Sequence, residues 1–268
     1  MLVSVESKDR QIGCSGVFTR AILSLEEGFV EKQMFGGVSS AEYMQLDKAH
    51  REFIARIKSL GIAVPDSVLI LKDLPDGSRL VVKQRAFSEN SLATNLVSNA
   101  NPDIALKTAQ LVFRTTLHAV GRAGIGSVFR GFHGSLRNYA IEDINSPEPK
   151  IYFLDTFPPF SSPQSLLDGL ARFARDDRLR IVAEAAKVLP DSILRQHSIF
   201  NPVTMLAGIC HSVHRRRQEI SAALILSSIA EVKDSAPEFA DSLLNKLQKG
   251  FDNDPFYRRF FAFLVRDY

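Results

Sequence analysis

Four side chains of the kinds used in phosphate and metal chemistry fall in one stretch, Gly131 to Pro159, which reads GFHGSLRNYAIED and then KIYFLDTFPP. His133, Ser135 and Asn138 stand in a Gly-bearing loop that leads into the short apolar run YAI. After the break EDINSPEP, a second run, KIYFLD, ends at Asp155. A carboxylate at the mouth of an apolar strand, brought near an Asn and a His by a hairpin, offers the hard oxygen donors that Mg²⁺ takes. That ion completes its shell with water and nucleotide phosphate. Asn and Asp also cap turns, and Asp155 just ahead of Pro158-Pro159 suits a turn as well. Order and spacing favour the metal.

Three more positions carry charge or backbone freedom useful to a phosphate. Lys32 lies within the apolar segment FVEKQMF. Strand alternation puts Phe29, Glu31 and Gln33 on one side, and Val30, Lys32 and Met34 on the other. An ammonium among apolar neighbours either meets an anion or snorkels to water. Glu52, in AHREFIARIKSLG, lies beside the apolar stripe of a helix and is a candidate to reach Lys32. Glu42 is a second candidate, equally explained as a favourable charge at a helix start. Gly13 and Gly16, in IGCSGVF, would let backbone N–H groups approach phosphate oxygens, although glycine is also the usual turn residue.

The elements needed to position these groups can be read from periodicity. Val17 to Leu25 and Phe29 to Phe35 read as two strands around a Gly-containing turn. Leu46, Ala49, Phe53, Ile57 and Leu60 then recur at helical spacing, with Ser39 or Ser40 to cap the start and Gly61 past the end. IAVPDSVLIL and SRLVVKQRAF read as two further strands joined by LPDG. The polar stretch Ala86 to Asn101 is the expected boundary. Beyond it Leu106, Ala109, Phe113, Leu117 and Val120 mark a helix beginning near Pro102, and helical stripes dominate after Pro159. The expected class is α+β, with a small antiparallel lobe over residues 1–86 and a larger helical lobe over residues 87–268.

That order of parts resembles the protein-kinase-like superfamily, and within it the aminoglycoside phosphotransferase branch. IGCSGVF resembles the Gly-rich loop that covers phosphates, and FVEKQM the strand whose lysine contacts the nucleotide. AHREFIARIKSLGIAVPDSVLIL is similar to the helix and strand that follow in small-molecule kinases. The resemblance implies that Lys32 holds the α- and β-phosphates of Mg·ATP between two lobes and that Glu52 orients Lys32. It implies further that backbone near Gln84 to Ala86 meets the adenine, and that Asn138 and Asp155 hold Mg²⁺. The family places an Asp five residues before the Asn, where this chain has His133. Aligning HGSL with the phosphotransferase HGDL puts Ser135 in that place instead. Either way the usual carboxylate is absent, and DTFPP stands where a flexible glycine is usual.

A neutral imidazole can still take a hydroxyl proton, and phosphoryl transfer relies mainly on positioning and charge stabilisation. The expected activity is therefore transfer of phosphate from ATP to a hydroxyl of a small molecule or peptide. The alternatives are a nucleotide-binding pseudokinase and a regulatory interaction protein. Bulk properties exclude little but agree: 33 basic against 30 acidic residues give +3, which demands no nucleic-acid partner. No apolar run approaches a membrane span, and the start lacks a signal-peptide core, so a cytoplasmic protein is expected. In CHSVHRRRQE, His211 and His214 share a helix face without a third metal ligand, and Arg215 to Arg217 read as a solvated helix end. The aromatic-rich C-terminal segment reads as core packing.

Overall fold

In a computed structural model, the described residues are 9–12, 19–24, 28–75, 77–122, 132–156, 163–174, 177–190, 201–251, 253 and 255. The chain divides into two compact units. One comprises Met1–Ser88 and Tyr152–Leu194, the other Glu89–Ile151 and Arg195–Tyr268. The class is α+β, mainly helical with a small antiparallel sheet. A single cut after Ala86 does not describe the units, because residues 152–194 return to the one that holds the sheet.

In that first unit, β1 (Asp9–Ile12), β2 (Thr19–Ser24), β3 (Phe29–Gly37), β4 (Ser67–Leu74) and β5 (Gly77–Arg85) form one antiparallel sheet in the order β1-β2-β3-β5-β4. Central β3 pairs with β2 and β5, Lys32 lying opposite Ala21 and Val82. The turn between β4 and β5 has Gly77 at φ 116°, in a region where side chains are strained. Helix α1 (Ser40–Ser59) starts at Ser39. The Ser39 hydroxyl accepts from the Glu42 N–H at 3.3 Å, while Glu42 accepts from the Ser39 N–H at 2.9 Å. This reciprocal capping box satisfies two orphan donors. The α1 stripe of Tyr43, Leu46, His50, Phe53 and Ile57 is apolar or buried. Its first two members pack on Met34, Val38, Leu69, Leu80 and Val82. That face of the sheet also carries Lys32.

Residues 152–194 add α4 (Pro163–Phe173) and α5 (Asp177–Ala186) to this unit. Arg172 of α4 grips both oxygens of Glu42 and donates to the Gly37 carbonyl at 3.2 Å. Those bonds, with the two from Ser39, pull the Glu42 carboxyl down to about 2.

The second unit is a helical core. It holds α2 (Ala93–Asn99), α3 (Pro102–Arg122), α6 (Pro202–Arg216), α7 (Gln218–Ser235) and α8 (Ala240–Gly250), with β6 (Tyr139–Glu142). β6 pairs with β7 (Lys150–Phe153), within which the chain passes to the first unit. Helix α2 lies in the stretch expected as a polar boundary. Ala93 and Val97 are fully buried, and Arg217 donates to the carbonyls of Val97, Ser98 and Ala100 at 3.3, 3.2 and 2.8 Å. Tertiary burial and a borrowed C-cap form a helix that local sequence does not signal. Among the described residues no helix is long and apolar enough to cross a membrane.

The Glu42 carboxyl is lowered in the folded chain, so its contribution is present above the ordinary carboxylate range and lost as pH falls through it. The stability difference between wild type and Glu42→Gln should therefore shrink steadily between about pH 5 and pH 2 in denaturant titrations, given the usual range of such groups. A difference that stays constant would contradict the Arg172 contact.

Candidate functional site

Lys32 is the centre of the charged arrangement in the first unit. Its Nζ donates to the Leu154 carbonyl at 2.6 Å, and the Asp155 carboxylate acts on the same ammonium. Burial pushes the Lys32 pKa down from the ordinary 10.5, and Asp155 pulls it partly back. A bond from a charged donor to a carbonyl is worth about 1.5–3 kcal/mol, which offsets part of the desolvation.

The chain reaches Lys32 by a short series of bonds. Past α1, Gly61 turns with φ 78°, and the Ala63 carbonyl accepts from the Phe153 N–H at 2.9 Å. Leu154 follows, and its carbonyl accepts the Thr156 N–H at 3.0 Å as well as Lys32. Asp155 is thus the middle residue of a tight three-residue turn. The Thr156 hydroxyl donates to Gln84 Oε1 at 3.3 Å, both residues being buried. The turn is held from β3 and from β5.

Other expected partners are placed elsewhere. Glu52 lies on an exposed part of α1 with Lys48 at 3.9 Å, so the expectation that it orients Lys32 is corrected. An acidic residue next to the buried stripe points outward because Phe53 takes the inward position. Glu42 is held by Ser39 and Arg172. The Ala86 N–H donates to the Gly28 carbonyl at 3.0 Å, and the Gln84 side chain is bonded to Thr156, so these groups are already engaged within the fold. Gly13 and Gly16 lie outside the described residues.

The loop with His133, Ser135 and Asn138 belongs to the second unit and is stiff for identifiable reasons. Asn138 Nδ2 donates to the His133 carbonyl at 2.7 Å, closing the loop across five residues. The Gly134 N–H points at the Met205 sulfur, 3.1 Å away. A Cβ on Gly134 would come within 2.6 Å of Thr116 Oγ1, so only glycine fits. Thr116 in turn shares a 2.9 Å hydrogen bond with the buried Tyr139 hydroxyl. Asn138 is buried, and the Ser135 hydroxyl is buried without a hydrogen-bond partner. The structure thus brings Lys32 together with Asp155 in one unit, and His133 with Asn138 in the other.

Among the described residues no three His, Cys, Asp or Glu side chains cluster to hold a metal. The Asp155 carboxylate and the Asn138 side-chain carbonyl are each, by type, an oxygen donor of the kind that Mg²⁺ takes, an ion that also keeps waters and substrate phosphates. The Cys210 region has no such character. Burial pushes the Cys210 thiol up to about 12, and the rings of His211 and His214 pack edge-on against Phe251 at 4.7 Å each. A Cβ at Gly250 would land on the His211 ring, which leaves no room there for an ion. Residue type could not have singled out the Leu154 carbonyl, since a backbone acceptor carries no sequence signature. Thr156 could have been suspected as a polar residue in the turn just after β7.

A family model described as "Family of unknown function (DUF6206)" matches residues 6–254. The chain belongs to the DUF6206 family. No curated protein matches this DUF6206 chain. A solved structure, the MAP kinase LmaMPK10 from Leishmania major, is 14% identical over 84% of this chain and 68% of that one. Its TM-score of 0.29 is too low to carry an argument about fold or activity.

Two outcomes follow from this geometry. The unfolded chain binds the Lys32 proton more tightly than the folded chain, so stability relative to Lys32→Met should rise with pH in the interval below 10.5. Calorimetric melting temperatures of both proteins across pH 7–10 check this, and a flat or falling difference would contradict it. Gly134→Ala should cost about 1–3 kcal/mol through overpacking against Thr116, or several degrees in Tm, read by the same method.

Proposed function

We propose that this chain is a kinase-like phosphotransferase that moves the terminal phosphoryl group of ATP, with Mg²⁺, to a hydroxyl of a small molecule or peptide. The observation that carries the reading is the enclosed Lys32 ammonium beside Asp155, at the end of the strand that closes the His133–Asp155 stretch. Burying a lysine against one carboxylate and one carbonyl is costly unless the site has a use for positive charge. Phosphate oxygens are the anions that use best explains.

In this reading Lys32 contacts the phosphates once the ligand competes with the Leu154 carbonyl. Asp155 supplies a carboxylate oxygen for Mg²⁺, and the ion would neutralise phosphate charge. Asn138 is assigned to the metal by its spacing from His133 and Asp155. His133 takes the proton of the acceptor hydroxyl as the new O–P bond forms, and the bridging bond to the β-phosphate breaks to release ADP. The Ser135 hydroxyl is the alternative contact for the acceptor. Because proton removal is a minor part of a loose transition state, an imidazole suffices where a carboxylate is usual.

One observation favours a second reading, a nucleotide-binding pseudokinase or regulatory protein without transfer. Lys32, Gln84 and the Ala86 N–H are each engaged within the fold, and the usual catalytic carboxylate is missing. ADP release from ATP and Mg²⁺, measured with a panel of sugars, amino alcohols and serine peptides, separates the two. Transfer predicts measurable turnover in wild type, a fall of roughly 10²-fold or more in His133→Ala, as for loss of a general base, and loss in Asp155→Ala. Equal background in all three proteins would remove the enzyme and leave the binding protein.

A further inference from the structure

A buried polar pair beside the Lys32–Asp155 site has no part in the proposed transfer. Thr156, directly after Asp155, donates from its hydroxyl to Gln84 Oε1 at 3.3 Å, and both side chains are buried. Strand register sets Gln84 opposite Val30, and Lys32 opposite Val82. Directly opposed residues of an antiparallel pair share a face, as do residues two apart on one strand. Lys32 and Gln84 are therefore diagonal neighbours on one face of β3 and β5. Around them Val30, Val82 and Leu69 are apolar and buried.

A bonded polar pair in such surroundings adds little to stability, since replacing both partners by apolar groups of the same shape is close to neutral. What the pair supplies is direction. The turn 154–156 is tied at both ends to adjacent strands: the Leu154 carbonyl accepts from Lys32 of β3, and the Thr156 hydroxyl donates to Gln84 of β5. The Thr156 N–H closes the turn on the Leu154 carbonyl at 3.0 Å. With the first tie alone, the turn could pivot about that carbonyl and swing the Asp155 carboxylate away from the ammonium. The second tie removes the rotation. We propose that Thr156 and Gln84 are positioning residues, whose bond holds the Asp155 carboxylate against Lys32. Their bearing on Mg²⁺ and nucleotide rests on the phosphotransferase reading above, whereas the positioning itself does not.

The test is a double-mutant cycle on the full chain, read by NMR of the Lys32 side chain across pH. Asp155→Asn should lower the Lys32 pKa in wild type, since a carboxylate that favours the ammonium is lost. In a Thr156→Val background the same change should move Lys32 at most about half as far, because the attraction weakens with distance. Thr156→Ser keeps the hydroxyl and should restore the full shift. A threonine that only fills space would alter the surroundings of Lys32 equally with Asp or Asn at 155, and its effect cancels in the cycle. Gln84→Met removes the acceptor from the other side and should match Thr156→Val, which holds the proposal to account if either protein folds poorly. The proposal is overturned if Asp155→Asn shifts Lys32 equally in wild type, Thr156→Val and Gln84→Met. It is overturned also if Thr156→Ser behaves as Thr156→Val. Titration of wild type with ATP and Mg²⁺ keeps the two claims apart: no binding would remove the phosphotransferase reading, while the cycle still decides the positioning.

Discussion

The first unit turns on one bond, from the Lys32 ammonium to the Leu154 carbonyl. Without it, a partly buried lysine on the apolar face of a central strand would lose one of the two groups, with Asp155, that offset its desolvation. With it, the chain leaving β7 is fixed under β3, and Asp155 occupies the centre of a turn rather than a mobile end. The Phe153 bond to Ala63 and the Thr156 bond to Gln84 hold the same four residues from either side. Such restraint would suit the metal role proposed for Asp155, because Mg²⁺ tolerates little deviation in geometry.

This arrangement also sets a limit on function. Lys32 already has acceptors, so a phosphate would have to displace or share them, and binding would carry that cost. The helical unit shows a comparable economy. Asn138 is spent in part on closing the His133 loop, and Gly134 is packed against Thr116 with no space to vary. Both loops are built as rigid supports, which suits positioning chemistry and leaves little room for flexible switching.

Much of the fold was legible in the sequence because local rules and burial agreed. The stripe of Leu46, Phe53 and Ile57, the Ser39 cap and the Gly61 stop all appear where periodicity placed them. The four strands of the first third follow from alternation and turn glycines. Strand β1 was not legible, because Asp9, Arg10 and Gln11 carry no apolar alternation and the strand pairs only at an edge. Helix α2 was not legible either, since its polar sequence is stabilised by two buried side chains and by Arg217 from far along the chain. In the site, spacing paired Lys32 with Glu52, whereas its neighbours are Asp155 and the Leu154 carbonyl, a backbone acceptor that leaves no trace in residue type. Glu52 shows the limit of spacing arguments: one position off the stripe, a helix side chain faces solvent.

Lys32 and Asp155 are proposed to form a site for Mg-nucleotide. Isothermal titration of the full chain with ATP, with and without Mg²⁺, and of Lys32→Met under the same conditions, tests it most directly. Binding to wild type should depend on Mg²⁺ and be at least about ten-fold weaker in Lys32→Met, the loss of one charge-assisted contact. No binding of ATP to wild type, or equal binding by both proteins, would contradict it.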